Sequence, residues 1–531
     1  MKRFTAKNMT FFTPLICKNI CSRIYKFIKK YTAYSFIIFL MVLVMASFYS
    51  QSFNACADEP YDVYNYDRWG DAVPSQAGYI AQRAVSGENL GITNFKEPND
   101  IFKDENNIFY IADSGNNRIV VVDSDFQRVL KIYDGFTMPN GTKTTLNNPT
   151  GVYVSSANKL IYIADNKNSR VLISDYSGNI ISEIKKPDSE VYRQQTFQPQ
   201  KIIADKAGNV YVVLGNITTG SAMFNSDGQF IGFYGANRSK STAKIIGGIF
   251  SSVFSTDEKK ARQSRNIPSG ITNFDIDNKG FIYTCTKSKT QSNDIVKKLN
   301  ASGDNIFADY QLSFGDITPI YDVNTNTSFH TLLGDIDVAD DGSVNCLDCA
   351  SGRVFQYDKQ CSLLFICGTK AEQTGGFSTQ TSAIESMGKN IYVVDAQKNT
   401  VTIFSETSFG AAVHKATSLF NAGYYEEALE PWKEVLRRDG SYQSAYLGIS
   451  AALLCKGDYS QAMKYAKLAD SSYYYNKAFE GWRSEFLREH FSTAVTIFIL
   501  FVVIAVAAKK IRKLRQYSKK SDKCFCNLSR K

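Results

Sequence analysis

Ile108-Phe-Tyr-Ile-Ala-Asp-Ser-Gly-Asn-Asn-Arg-Ile-Val-Val-Val-Asp123 consists of two apolar runs, alternating as strands do, joined by a polar turn. Variants stand at Leu160 to Asp175, Val210 to Asn225, Phe281 to Leu299, Ser343 to Asp358 and Asn390 to Phe404, which makes six copies. One slot is filled by Tyr110, Tyr162, Tyr211, Tyr283, Asn345 and Tyr392, in steps of 52, 49, 72, 62 and 47 residues. A unit of four short strands needs roughly 40 to 50 residues and is stable only in a radial array, so the period predicts an all-β, six-bladed propeller. The two long steps require insertions, one a basic segment at Ala236 to Asn266 and one near Asp309 to His330. Propellers close when one terminus completes the last blade, so Gly78 to Val85 is expected to pair with the sixth copy.

The Tyr-Ile-Ala-Asp core with its following Asn and Arg, preceded by Pro98-Asn99-Asp100 or Pro149-Thr150-Gly151, resembles the NHL repeat. The resemblance is closest in the first two copies and weaker in the sixth. Copies three to five rest on pattern and spacing, with Gly215 and Cys285 expected in the Asp slot.

With 44% hydrophobic and 21% charged residues among 531, the chain has the composition of a folded protein with several cores. Two segments break the soluble pattern. Phe491 to Ala508 is close to the roughly 20 apolar residues that span a bilayer, and Lys509, Lys510, Arg512, Lys513, Arg515, Lys519 and Lys520 follow it. By the positive-inside rule the tail is cytoplasmic and the bulk of the chain extracellular. The other apolar core, residues 34–48, follows a basic leader and precedes Ala55-Cys56-Ala57, which has the form of a signal-peptidase site. A cleaved signal peptide and a retained anchor both stay open, and both export the same residues; Phe53-Asn54-Ala55 is a poor lipobox for Cys56. The expected division is a leader at 1–57, a propeller at 58–404, a helical domain at 405–490, a transmembrane helix at 491–508 and a cytoplasmic tail at 509–531.

The net charge of +10 invites a nucleic-acid reading, but 18 of the 61 basic residues lie in the two ends, and the remainder carries a net of −7. The basic balance therefore reports topology, and no nucleic-acid partner is expected. Both basic ends suit anionic lipid instead.

After Phe404 the period becomes helical. Gly423, Tyr425 and Ala428 recur as Gly457, Tyr459 and Ala462 at a step of 34, which resembles the tetratricopeptide repeat. The glycines would permit tight turns, the tyrosines would pack the helix crossings, and the alanines would allow close approach. Two repeats need a cover, so Asp470 to His490 is expected to form a capping helix running into the membrane segment, with Tyr473, Tyr474 and Tyr475 in the core.

Catalysis has no readable constellation: no nucleophile at a base, no phosphate loop, and no carboxylate pair standing out. The three histidines exclude a multi-histidine zinc site, since only His330 belongs to the propeller. Calcium stays open through Asp100, Asp113, Asp165, Asp205, Asp275, Asp277, Asp337 and Asp395, although such residues more often satisfy backbone donors. Asp113 with Arg118, and Asp165 with Arg170, read as braces between strands. Cys346, Cys349, Cys361 and Cys367 cluster in the fifth copy; packed thiols are the expectation, with a disulfide open. No catalytic, cofactor-binding or metal-ligating residue is assigned.

The combination of leader, NHL propeller, short tetratricopeptide module and C-terminal anchor resembles a family of Gram-positive bacterial surface proteins. That resemblance implies a non-enzymatic recognition or scaffold role beside ABC-class sugar-uptake transporters, with a carbohydrate, a transporter or a solute-binding protein as partner. The alternative is a calcium-dependent lactonase or hydrolase of the six-bladed type.

Overall fold

The structure, a computed structural model, describes residues 63–189, 192, 196–215, 217–237, 269–288, 294–309, 312–317, 320–322 and 327–528. The leader, its apolar core and Cys56 lie outside the described residues, as does most of the basic insertion. Within residues 60–531, six antiparallel sheets follow one another: blade I at Pro98–Tyr133, II at Pro149–Ile184, III at Pro199–Tyr234, IV at Asn273–Leu299, V at Leu333–Cys367 and VI at Thr381–Glu406. Five have four strands, while blade IV shows three among the described residues.

The first strand of each blade is innermost, and each packs on the first strand of the next until the sixth meets the first again. Closure is made by Tyr79–Val85, which pairs antiparallel with Thr400–Glu406 as the fourth strand of blade VI, as the sequence predicted. Between blades, the second-strand cores form successive apolar layers such as Ile111, Val120, Val394 and Ile403 between blades I and VI. Each such fully buried side chain contributes about 1.5–3 kcal/mol.

The turn between first and second strands is built alike in several blades. In blade III, Asp205 Oδ1 accepts the N–H groups of Ala207 and Asn209 at 2.9 Å each, and Gly208 takes a left-handed φ of 85°. A type I turn followed by a left-handed residue sets the strands in register, and the Asp caps it. Asp277 repeats the arrangement in blade IV.

The NHL aspartates have their own task. Asp113 Oδ1 accepts Lys96 N at 2.8 Å, while Oδ2 takes Asn116 Nδ2 and Arg118 Nε at 2.9 and 2.7 Å. Asp165 does the same with Asn147, Asn168 and Arg170. Asp348 and Asp395 hold the corresponding loops of blades V and VI. The register corrects the expected occupants elsewhere. Pro199 faces Leu214, and Asn273 faces Cys285 where Lys201 faces Val213, so Leu214 and Thr286 fill the Asp slot, not Gly215 and Cys285. Leu214 and Thr286 each stand three residues after the marker tyrosine, as Asp113 does after Tyr110.

Glu406 is followed by five helices: α1 at Ser408–Asn421, α2 at Tyr425–Arg438, α3 at Gln443–Lys456, α4 at Tyr459–Leu468 and α5 at Ser472–Leu528. Thr407 caps α1 by accepting Gly410 N at 3.0 Å, and its own N–H donates to Gly78 O, tying the helix to the closing strand. Gly423 and Gly457 turn the pairs α1–α2 and α3–α4 with φ of 84° and 77°. Tyr79, Phe365, Phe404, Phe409, Val413, Trp432 and Tyr442 share one core, so helices and propeller are continuous. The 57-residue α5 packs on α4 through Ala478 and Gly481, not through the tyrosines: Tyr473 and Tyr475 are exposed. Its later portion is exposed, long and apolar enough to cross a membrane.

Candidate functional site

Period-two alternation along the six inner strands puts two rings of side chains at matching register. The first is Asp100, Gly151, Lys201, Asn273, Asp335 and Ala383; the second is Phe102, Tyr153, Ile203, Asp275, Asp337 and Glu385.

In the first ring Lys201 Nζ bonds Asp100 across the axis and reaches Asn99 O at 3.2 Å, while Asn273 bonds Asp335. This buried polar group fills the middle of the channel. Burial lifts the Asp335 carboxyl to about 7 against the pull of Lys201.

The carboxylates of both rings also stitch one blade to the next. Asp100 accepts Val152 N, Asp275 accepts Val338 N, Asp335 accepts Ile384 N and Glu385 accepts Lys103 N, at 2.8, 2.8, 2.7 and 3.2 Å. Each inner strand has one edge free of its own sheet, and these oxygens satisfy donors there.

The second ring is divided. Phe102 and Tyr153 pack at a tilt, ring centroids 4.8 Å apart, on one side, and Asp275, Asp337 and Glu385 stand on the other. Burial and Asp337 raise Asp275 to about 8, and burial with Asp337 and Asp275 raises Glu385 well above the carboxylate range. Glu385 and Asp337 stand at matching positions of adjacent inner strands, and two buried carboxylates so placed favour holding a proton between them.

Beyond this ring the channel opens into a cup of about 760 Å³. Glu385, Phe102 and Tyr153 form part of its base, and the turns at Asp104, Asp205, Asp277 and Asp340 its rim. Lys103 meets Asp340 at 3.4 Å, and Lys298 lies over Phe281 and Tyr283 at 4.7 and 4.8 Å. Burial lowers the affinity of Lys298 for its proton. The volume matches that of small-ligand sites, which run from about 300 to 1,000 Å³. Aromatic faces, amines, carboxylates and one carboxyl suit a polar ligand with hydroxyls and an apolar face.

Of the eight aspartates considered for calcium, Asp113, Asp165 and Asp395 sit at the opposite end of the blades from the turn aspartates Asp205 and Asp277. Only Asp100, Asp275 and Asp337 line the channel. Among the described residues no three His, Cys, Asp or Glu side chains are grouped to hold a metal ion. Cys285, Cys346, Cys349, Cys361 and Cys367 are free thiols, all buried except the half-buried Cys349. The sequence reading missed Lys103, Lys201, Asp335 and Glu385. Their signal is position: Lys201 and Asp335 lie two residues, Glu385 four and Lys103 five after the residue that opens the inner strand, a count visible only once the strand starts are aligned.

The pattern of the NHL repeat matches residues 146–173, the end of the first inter-blade loop and the first half of blade II. The chain is therefore a six-bladed β-propeller with one segment matching the NHL repeat, followed by a C-terminal helical region. No curated protein sequence matches the chain at a significant level. Among solved structures, the chain is similar to virginiamycin B lyase from Staphylococcus aureus, with 10% identity, 61% of this chain and 99% of that one covered, and a TM-score of 0.37. It is also similar to hydrazine synthase of Kuenenia stuttgartiensis, with 12% identity, 60% and 97% covered and a TM-score of 0.36. A luciferin-regenerating enzyme stands at 10%, 61% and 96% covered, and 0.34.

Proposed function

We propose that the chain is a membrane-tethered binding protein, not an enzyme, whose propeller holds a small polar ligand in the cup at the end of the channel. The observation that carries this reading is the cup itself, preformed on rigid inner strands and closed beneath by the Asp100, Lys201 and Asp335 group. A carbohydrate fits its aromatic and polar lining. The helical region, read as a tetratricopeptide-like pair of hairpins capped by α5, braces the propeller and offers a surface to a protein partner. With the basic tail against cytoplasmic lipid, the propeller faces outward, a placement suited to an accessory of an ABC-class sugar-uptake system.

Binding is favoured over calcium-dependent hydrolysis because the channel carboxylates spend their oxygens on backbone donors. Asp275 accepts Ile276 N and Val338 N, one on each oxygen.

Calorimetry of the full chain in detergent against mono- and oligosaccharides tests the reading, with Tyr153→Ala expected to weaken whatever binds. A protein that binds no sugar, and carries one calcium per chain through dialysis, would instead support the hydrolase. Protease added to intact cells should remove the propeller and leave the tail; protection of the propeller would refute the orientation.

A further inference from the structure

A buried chain of side chains runs from the cup to α1. Glu385 stands beside Asp337, at the matching position of the neighbouring inner strand. Asn345 Nδ2 donates to Asp337 Oδ2 at 2.7 Å, and Gln356 Nε2 donates to Asn345 Oδ1 at 3.0 Å. His414 Nε2 lies 2.8 Å from Gln356 Oε1, and Nδ1 lies 2.5 Å from Glu406 Oε1. Asp337, Asn345 and Gln356 are exposed by no more than 3%, so water does not stand in for a missing link.

An amide has one donor end and one acceptor end, so the direction of each link dictates the next. With Asp337 ionised, Asn345 donates to it, Gln356 donates to Asn345, and the Gln356 oxygen faces His414. Both imidazole nitrogens then meet oxygen, which the doubly protonated ring satisfies. With Asp337 protonated toward Asn345, both amides turn over and Gln356 Nε2 faces His414 Nε2, which must accept. Either setting satisfies every link. A mixture leaves two donors or two acceptors opposed in a dry interior, which is costly.

We propose that Glu385, Asp337, Asn345, Gln356 and His414 form a two-state hydrogen-bond relay, in which uptake of a proton by Asp337 from the cup, or its engagement by a ligand there, turns both amides over and is matched by release to solvent of the Nε2 proton of His414, whose side chain is 20% exposed. His414 then loses the charge in its bond to Glu406, and the change reaches α1, which shares its core with the rest of the helical region. The relay stands on the geometry above; its use as a sensor rests on the cup being a binding site. Charged and titratable neighbours are few. Lys103 and Asp275 face the acid pair, Lys389 holds the second oxygen of Glu406 at 3.5 Å, and Tyr79 faces His414 and donates or accepts at Gln356. Burial would raise Glu406, but His414 and Lys389 together outweigh this and keep the carboxyl below its ordinary range.

The chain has three histidines, so nitrogen NMR of the full protein in detergent, labelled at histidine, gives few signals. Their loss in His414→Gln assigns the pair that matters. As pH falls and the acid pair fills, the His414 Nε2 signal should move toward its unprotonated position, opposite to an ordinary imidazole. In Asn345→Leu, which cuts the chain, and in Asp337→Asn, which removes the carboxyl that fills, this reverse movement should vanish. If circular dichroism shows Asn345→Leu unfolded, Asp337→Asn decides. A wild-type signal that moves only in the ordinary sense, or a reverse movement that survives Asp337→Asn, overturns the relay. No ligand enters the experiment, so its failure is separate from failure of the cup as a binding site.

Discussion

Lys201 of blade III bonds Asp100 of blade I across the propeller axis, joining residues 101 apart in sequence and skipping blade II. Both side chains are 11% exposed, and Asp335 adds a second buried carboxyl to the field of the one ammonium. Lys201→Met should therefore strand the carboxylates and cost about 3–5 kcal/mol. Denaturant unfolding of the protein in detergent measures this, and adding Asp100→Leu should restore part of the loss. Equal stability in wild type and Lys201→Met would mean the axis is hydrated.

The second expectation concerns pH. Burial raises Asp335 to about 7 and, with Asp337 adding to it, Asp275 to about 8. The unfolded carboxyl titrates near 3.9, so these groups favour the fold when protonated. Their contribution is full below that value and is lost as pH rises through about 7 to 8. The propeller should unfold at lower denaturant at pH 9 than at pH 6, and Asp275→Asn should flatten the difference. Asp123 and Asp175, held below the usual range by backbone donors that outweigh burial, act only in stronger acid.

Braces at the other end of the blades give a third. Asp113 and Asp165 are fully buried, and each takes a loop N–H and an arginine. Asp113→Ala should cost about 3 kcal/mol through the unpaired Lys96 N and Arg118, read as a fall in Tm, with ligand binding at the cup unchanged in the surviving fold. A loss of binding at full stability would make the brace part of the site.

In the helical region, a Cβ on Gly448 would lie 2.1 Å from Trp432 Nε1. Gly448→Ala should thus force α2 and α3 apart and destabilise by about 1–3 kcal/mol. Because Trp432 belongs to the core shared with blades V and VI, the loss should appear in one cooperative transition with the propeller. Two separate transitions would show the regions to be independent.

Much of the fold was legible because strand alternation and turn chemistry are local. Tyr110 to Tyr392 mark the blades at a countable period, and Asp113 with Arg118 announces its own brace five residues away. The closing strand could be expected from topology alone. Less legible were blades III and IV, where Leu214 and Thr286 replace the Asp and the motif's own signal is missing. In α5, Tyr473 and Tyr475, expected inside, are exposed and Tyr474 is half-buried, while Gly481 makes the close approach to Tyr459.

By itself, then, the sequence determined what repeats and what alternates: six blades, helices at a step of 34, an apolar segment before a basic tail, and aspartates bound to their own turns. Only the tertiary structure decided which charges meet. Asp100, Lys201 and Asp335 come from three blades, and the links from Glu385 to His414 draw on blade VI, blade V and α1. No local pattern encodes such pairings, because closing a ring of blades brings inner strands together at a distance set by the radius of the ring, not by separation along the chain.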